Sequence, residues 1–205
     1  TTPAHPSRSS SPTWRWSHDG PAGAAGVAGE VIVSSVVLSI GSNLGDRLAR
    51  LQSVLDGLDG AVGAVSPVYE TDAWGGVEQG AFLNAVVLAE DPGLDGPGWL
   101  RRAHELEDAA ERVRDQRWGP RTLDVDLVSC HGPDGEIISA DAELTLPHPY
   151  AHVRAFVLVP WLDVDPTATL SVAGEPRPVA ELLDALDEQE RAGVRRTGHV
   201  LRTGR

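Results

Sequence analysis

The chemistry of this chain concentrates between Arg112 and Leu127. Four arginines, Arg112, Arg114, Arg117 and Arg121, fall within ten residues, and two aspartates, Asp124 and Asp126, follow at once. Side chains alternate faces along a strand. A strand over Thr122 to Val128 therefore puts both carboxylates on one face and Leu123, Val125 and Leu127 on the other. Adjacent carboxylates repel each other unless a cation sits between them. Mg²⁺, which takes one or two carboxylates plus waters and substrate phosphates, suits such a pair. Arginines beside it would hold phosphate oxygens through planar, bidentate contacts. These residues describe a metal–nucleotide phosphate site. The same residues also admit a plainer reading, a solvated strand face on which Asp124 and Asp126 pair with Arg117 and Arg121, each pair worth about 0–1 kcal/mol.

Composition narrows the choice of chemistry. All 17 basic residues are arginine. Without a lysine there is no P-loop, no Schiff base to pyridoxal phosphate and no protein-kinase strand lysine. A net charge of −13 opposes general affinity for nucleic acid or an anionic membrane, so phosphate binding has to be local. The longest apolar run, Val31 to Ile40, is well short of the ~20 residues of a membrane span, and no basic segment precedes it as in a secretory signal. The single Cys130 excludes a disulfide framework and a cysteine zinc cluster, and reads as a free structural thiol in a reducing compartment. The expectation is a cytoplasmic protein that binds neither nucleic acid nor membrane.

The elements that must position these groups are legible as periodicities. At 205 residues and 41% hydrophobic, the chain suits one domain with tails. Residues 1–30, rich in Ser, Pro, Gly and Ala, read as a flexible extension, and residues 31–205 as the domain with an Arg-containing tail. Val36 to Ile40 reads as a strand running into Gly41. Leu44, Leu48, Leu51, Leu55 and Leu58 make the stripe of a helix, with Ser42 or Asn43 available as its cap. Ala64 to Glu70 and Phe82 to Ala89 read as the second and third strands. A second helix starts at Pro97 and carries Trp99, Ala103, Leu106, Ala110 and Val113, and Thr122 to Val128 is the fourth strand. The order β-α-β-β-α-β is that of an α+β ferredoxin-like sandwich, one antiparallel sheet backed by two helices. A hairpin around His131 to Ile138, a Pro-rich connection and a helix over Val179 to Glu190 follow as C-terminal additions. The two long connections, Thr71 to Gly80 and Ala109 to Pro120, carry Trp74 and Trp118 and are expected to close over bound substrates.

Arg117-Trp118-Gly119-Pro120-Arg121-Thr122-Leu123-Asp124-Val125-Asp126 resembles the signature of the 6-hydroxymethyl-7,8-dihydropterin pyrophosphokinase family. The likeness continues in order through Ile40-Gly41-Ser42-Asn43-Leu44-Gly45-Asp46-Arg47, Phe82-Leu83-Asn84-Ala85, Leu146-Pro147-His148-Pro149 and Arg154-Ala155-Phe156-Val157-Leu158, and spans roughly residues 36 to 198. It implies transfer of the β- and γ-phosphoryl groups of ATP together to the pterin hydroxymethyl, with AMP leaving, in folate biosynthesis. It also implies that Asp124 and Asp126 bind two Mg²⁺ ions. Arg112, Arg114, Arg121, His148 and Arg154 match phosphate contacts, His104 and Glu107 lie near the nucleotide, and Leu127, Leu144 and Thr145 surround the adenine. Arg112 and Arg121 join the aspartates as the implied catalytic set. For the pterin, Phe82 and Phe156 match a stacking pair, Asn84 an edge-reading amide, and Thr71, Asp72, Trp74, Trp118 and Arg121 the surrounding pocket. Taken alone, Glu107 is equally a helix-surface charge, and the two phenylalanines are equally core residues. The chain departs from the family where Asp72 and Ala73 replace common prolines, and at Tyr150. A monomer is the expected state.

Two other functions compete. A two-metal nucleotidyltransferase also joins a Gly-Ser turn to a D-x-D strand, but places them close in sequence, whereas Gly41-Ser42 and Asp124-Asp126 are most of two β-α units apart. A silent nucleotide-binding domain would keep the binding residues and lack turnover. An RNA-binding module on the same fold would need a basic surface and sheet aromatics.

Overall fold

The computed structural model describes residues 34–72, 79–111 and 121–204. The extension expected over residues 1–30 lies outside them. Apolar residues on both faces place β1 (Ser34–Ser42) at the centre of a seven-stranded sheet. It pairs antiparallel with β4 (Phe82–Asp91) on one side and β5 (Asp124–Gly132) on the other. Beyond β4 come β3 (Tyr69–Thr71) and, at the end of the chain, β11 (Val194–Arg196); β2 (Val62–Val65) also pairs with β4. Beyond β5 lies the two-residue β6 (Gly135–Glu136), which closes the expected hairpin.

Helices α1 (Arg47–Leu58) and α2 (Gly96–Ala109) cover one face. Leu51, Val54 and Leu55 of α1 and Trp99, Ala103 and Leu106 of α2 pack on Val36, Leu38, Ile40, Val87, Val125 and Leu127. The β-α-β-β-α-β order and antiparallel sheet are those anticipated from the periodicities. Aspartates start both helices. Asp46 accepts from the Ala49 N–H at 3.0 Å and Asp95 from the Gly98 N–H at 2.7 Å, satisfying first-turn donors. The cap of α1 is therefore Asp46, neither Ser42 nor Asn43, because those two side chains are held elsewhere.

Several boundaries differ from the periodic reading. The stretch over Ala64 to Glu70 divides into β2 and β3, because Pro67 cannot donate to a ladder and Ser66 instead bonds Val86 through backbone and hydroxyl. The region after β5 holds more than a connection. It contains β7 (Ser139–Ala140) paired with β8 (Thr145–Leu146), the helix α3 (Ala155–Val164), and the hairpin of β9 (Thr169–Val172) and β10 (Glu175–Pro178). The helix expected over Val179 to Glu190 is two, α4 (Val179–Asp184) and α5 (Glu188–Ala192), since Asp187 accepts from Glu190 N–H and starts a new helix.

The larger difference is α3, which gives the sheet a second covered face. Val157, Leu158 and Trp161 pack with Val37, Val86, Leu88 and Val128, joined by Leu170, Val179 and Leu182. The C-terminal tail is anchored too: Leu201 is buried in the first core, and Gln52 exchanges two hydrogen bonds with the Arg202 backbone.

Candidate active site

Further along the strands, the face that α3 covers turns polar. Ser39 and Gly41 of β1, Phe82 and Asn84 of β4, and Asp124 and Asp126 of β5 share it, because each side chain follows the pleat. Gly41 pairs with Asn84 on one side and Asp124 on the other, and Ser39 pairs with Asp126. A cavity of about 550 Å³ lies over this row. Gly41 is its bare floor: a Cβ there would stand 2.8 Å from Asn84 Oδ1 and 3.7 Å from a ring carbon of Phe82.

The Gly41-Ser42-Asn43 turn ties the surrounding segments together. Ser42 Oγ donates to the Thr122 carbonyl at 2.6 Å. Asn43 accepts from the Arg121 N–H at 2.7 Å and donates to Gln79 Oε1 and the Gly80 carbonyl at 3.0 and 3.2 Å. One asparagine thus sets the approach to both β4 and β5. Asn84 is buried, and its Nδ2 donates to Thr71 Oγ1 at 2.7 Å, which orients the amide over the floor.

The two carboxylates have distinct partners. Asp124 accepts from Arg121 Nη1, and Asp126 lies 3.3 Å from Arg154 Nη1 and 3.9 Å from His148 Nε2. Arg154 is the partner of Asp126 among the described residues, and Arg117 lies outside them. Arg154 is buried, and burial together with its guanidinium pushes the His148 imidazole down to about 4, so His148 is neutral at physiological pH. Behind the pair, Glu107 of α2 is only 2% exposed and accepts from the Val125 N–H at 2.9 Å, between the two aspartates. It is no surface charge: it fastens α2 to the strand that presents them.

The cavity gathers every described residue singled out above. Phe82 and Phe156 are half-buried, Phe156 with one side packed against the second core, and both line the cavity with Thr71, Asp72 and Asn84. Its other flank carries His104, Glu107, Leu127, Leu144 and Thr145, and between the flanks lie Arg121, His148 and Arg154. Arg112, Arg114, Trp74 and Trp118 lie outside the described residues, as does Arg117. Asp72 is exposed, and hydrogen bonding to Arg195 of β11, at 3.0 Å, holds its carboxyl below the usual range. Arg195 approaches Glu70, Glu70 pairs with Arg47, and Arg47 Nη1 donates to the Ala81 carbonyl at 2.8 Å. Residues 72 and 81, which bracket the connection from β3 to β4, are braced by one chain of ion pairs.

Sequence reasoning did not assign Ser39, Gly41, Gln79 or Tyr150 to the site. For Ser39 and Gly41 the signal was available: on a strand of Val, Leu and Ile they break the apolar pattern at alternate positions of one face. Gln79 and Tyr150 enter through tertiary contacts that no local pattern carries.

A carboxylate pair flanked by arginines beside an aromatic pocket, on an antiparallel α+β sandwich, has the makeup of a phosphotransferase. The family 7,8-dihydro-6-hydroxymethylpterin-pyrophosphokinase (HPPK) matches residues 37–166. The 2-amino-4-hydroxy-6-hydroxymethyldihydropteridine pyrophosphokinase of Mycobacterium tuberculosis is 60% identical over 168 residues, 80% of this chain and 89% of that protein. The protein of the same name from Mycobacterium leprae is 59% identical over 179 residues, 84% of this chain and 94% of that one. Among solved structures, wild-type Plasmodium falciparum HPPK-DHPS with pteroate superposes at a TM-score of 0.55 and 14% identity, over 74% of this chain and 42% of that longer one, a likeness of fold. The chain belongs to the HPPK family.

Proposed function

We propose that the protein is an ATP-dependent diphosphokinase of folate biosynthesis, which transfers pyrophosphate from ATP to the hydroxymethyl group of 6-hydroxymethyl-7,8-dihydropterin. The hydroxyl oxygen bonds to the β-phosphorus, the α,β-bridge bond breaks, AMP leaves with the electron pair, and the hydroxyl proton is released. One observation carries the reading. A single sheet face presents the carboxylates of Asp124 and Asp126 in the same cavity as Asn84, Phe82 and Phe156, so phosphate and flat-ring chemistries meet over Gly41.

The pterin would lie between Phe82 and Phe156, with its hydrogen-bonding edge on Asn84 and on the Thr71–Asp72 backbone. ATP would lie along the opposite flank, its adenine near Leu127, Leu144 and Thr145, its sugar near His104 and Glu107, and its phosphates among Arg121, His148 and Arg154. Arg112, Arg114, Trp74 and Trp118 complete this assignment by resemblance. Among the described residues no group of three or more His, Cys, Asp or Glu forms a metal cluster. A pair of carboxylates is nonetheless the donor set Mg²⁺ uses beside phosphate oxygens, and Asp124 and Asp126, each already facing a cation, fit it. We assign them two Mg²⁺ ions, which when bound neutralise phosphate charge. Arg121 and Arg154 would stabilise charge on the transferring group, and the protein's part is mainly positioning. We read residues 31–205 as one catalytic domain, monomeric and cytoplasmic. Among the described residues no helix is long and apolar enough to cross a membrane.

The deciding experiment incubates the protein with ATP, Mg²⁺ and the pterin alcohol beside an Asp126→Ala variant. The expected result is AMP and pterin diphosphate in equal amounts, with a loss on the order of 10³-fold in the variant. Inorganic pyrophosphate with a nucleotidylated pterin would indicate a nucleotidyltransferase instead. ATP binding without AMP would indicate a silent domain.

A further inference from the structure

One tight segment supplies both groups that face Asp126. His148 is followed by a single turn of 3-10 helix at Ala151–Val153, and Arg154 then begins α3. Within that turn the Ala151 N–H bonds the His148 carbonyl and the Arg154 N–H bonds the Ala151 carbonyl, at 3.1 and 3.2 Å. Tyr150 sits between the two groups. Its backbone N–H donates to His148 Nδ1 at 3.2 Å, which leaves Nε2 carrying the proton of the neutral ring, directed at Asp126. Its side chain does something separate. The Arg154 guanidinium carbon lies 5.7 Å from the Tyr150 ring centroid and 5.6 Å from that of Phe156, so two rings attend one cation.

A guanidinium whose side chain is 9% exposed needs partners fixed in place, because misdirected it is a desolvated charge. Asp126 is one partner, but an Asp126 engaged with metal has less charge to offer Arg154. The ring faces do not change when a nucleotide arrives. They attract the cation through their quadrupoles and leave its N–H edge directed into the cavity, where bidentate contacts form. Phe156 is itself a cavity residue, whereas Tyr150, half exposed at the mouth, is the outer support.

We propose that Tyr150 is a positioning residue for the triphosphate: its ring holds the Arg154 guanidinium against Asp126, ready for phosphate oxygens. The proposal rests on the reading above that Arg154 contacts ATP. It concerns the aromatic ring and not the hydroxyl, and it requires Tyr150 to act through Arg154 rather than by touching the nucleotide.

Binding of Mg²⁺ with a non-hydrolysable α,β-methylene analogue of ATP, followed by calorimetry, tests this in a double-mutant cycle. Tyr150→Ala should weaken binding about 2–5-fold, Tyr150→Phe should bind as the wild type does, and Tyr150→Ala should lose nothing further in an Arg154→Ala background. Equal losses in both backgrounds would mean a direct contact with the nucleotide and would overturn the proposal. So would a Tyr150→Phe as weak as Tyr150→Ala, or a Tyr150→Ala as tight as wild type. A wild-type protein that does not bind the analogue overturns the functional reading and this inference together, whereas wild-type binding with any of the other contrary patterns overturns this inference alone.

Discussion

The same face of the same three strands is built in two ways. Where Val37, Val86, Leu88 and Val128 occupy it, α3 seals it with Val157, Leu158 and Trp161. A few residues along, Ser39, Gly41, Asn84, Asp124 and Asp126 occupy it and a cavity lies open. The β1–β4 register runs unbroken from Ser34 to Ser42, whereas the β1–β5 register shifts between Val37 and Leu38, where the two halves meet. Side-chain chemistry changes across that boundary. An apolar half gains by being covered, whereas carboxylates and an amide gain nothing from an apolar cover and are held by polar partners instead. The scaffold and the site are thus one surface, and α3 ends as a cover where Arg154, its first turn and Phe156 take up the site's work.

If the halves are functionally separate, substitutions should separate them. The largest effect is expected in the sealed half. Leu158→Ala removes a fully buried side chain and should lower unfolding free energy by about 2–5 kcal/mol, read from denaturant curves. Turnover per folded molecule should stay unchanged; a fall in kcat in fully folded protein would show that the halves are coupled. Gly41→Ala is the converse test. Its methyl would meet Asn84 Oδ1 at 2.8 Å, so Asn84 must move off the floor. The pterin KM should rise on the order of 10²-fold, as expected for a displaced substrate contact, with binding of the ATP analogue and the melting temperature little altered. Equal losses for both substrates would refute the assignment of this end of the row to the pterin.

Glu107 works across the layers and should show a smaller, mixed effect. Glu107→Ala leaves the Val125 N–H without its acceptor and should destabilise by about 1–3 kcal/mol while lowering kcat, because Val125 lies between the two aspartates. Glu107→Gln keeps an acceptor oxygen and should recover most of both. A Gln variant that folds normally yet binds the ATP analogue as poorly as Ala would show that the carboxylate charge itself meets the nucleotide.

How much of this was readable beforehand follows from which interactions are local. The alternation at Asp124 and Asp126 and the leucine stripe of α1 are periodic signals, so the order of strands and helices in the sandwich was visible. Helix α3 was not, because Ala155–Val164 is apolar nearly throughout and holds Pro160, so no amphipathic stripe distinguishes it from a buried strand or a connection. The cap of α1 escapes a local reading for a related reason. Ser42, Asn43 and Asp46 are all good caps by type, and only the tertiary demands of Thr122, Gly80 and Arg121 on the first two leave Asp46 to the helix. Glu107 is the sharpest case: on a helix surface it looks like any solvated charge, and its role depends on a strand 18 residues away meeting it.

The smallest expected effect concerns the seam that holds α3 to the sheet edge. Tyr69 of β3 donates to Asp163 of α3 at 2.5 Å, and Arg196 of β11 pairs with the same carboxylate at 3.4 Å. Burial, then the hydrogen bond and charge of Asp163, push the Tyr69 hydroxyl from about 10 up to about 12. The unfolded chain therefore releases this proton before the folded one does. The stability it contributes is complete below about pH 10 and declines as pH rises toward about 12, because there the folded state binds more protons than the unfolded. Tyr69→Phe should be less stable at pH 7 by roughly 1 kcal/mol, the worth of one hydrogen bond, and should show a shallower loss between pH 10 and 12. If α3 acts purely as a cover, substrate KM values at pH 7 should not move; a rise in either would mean that the seam also sets where Arg154 and Phe156 stand, and that the boundary between the two halves is under tension from both sides.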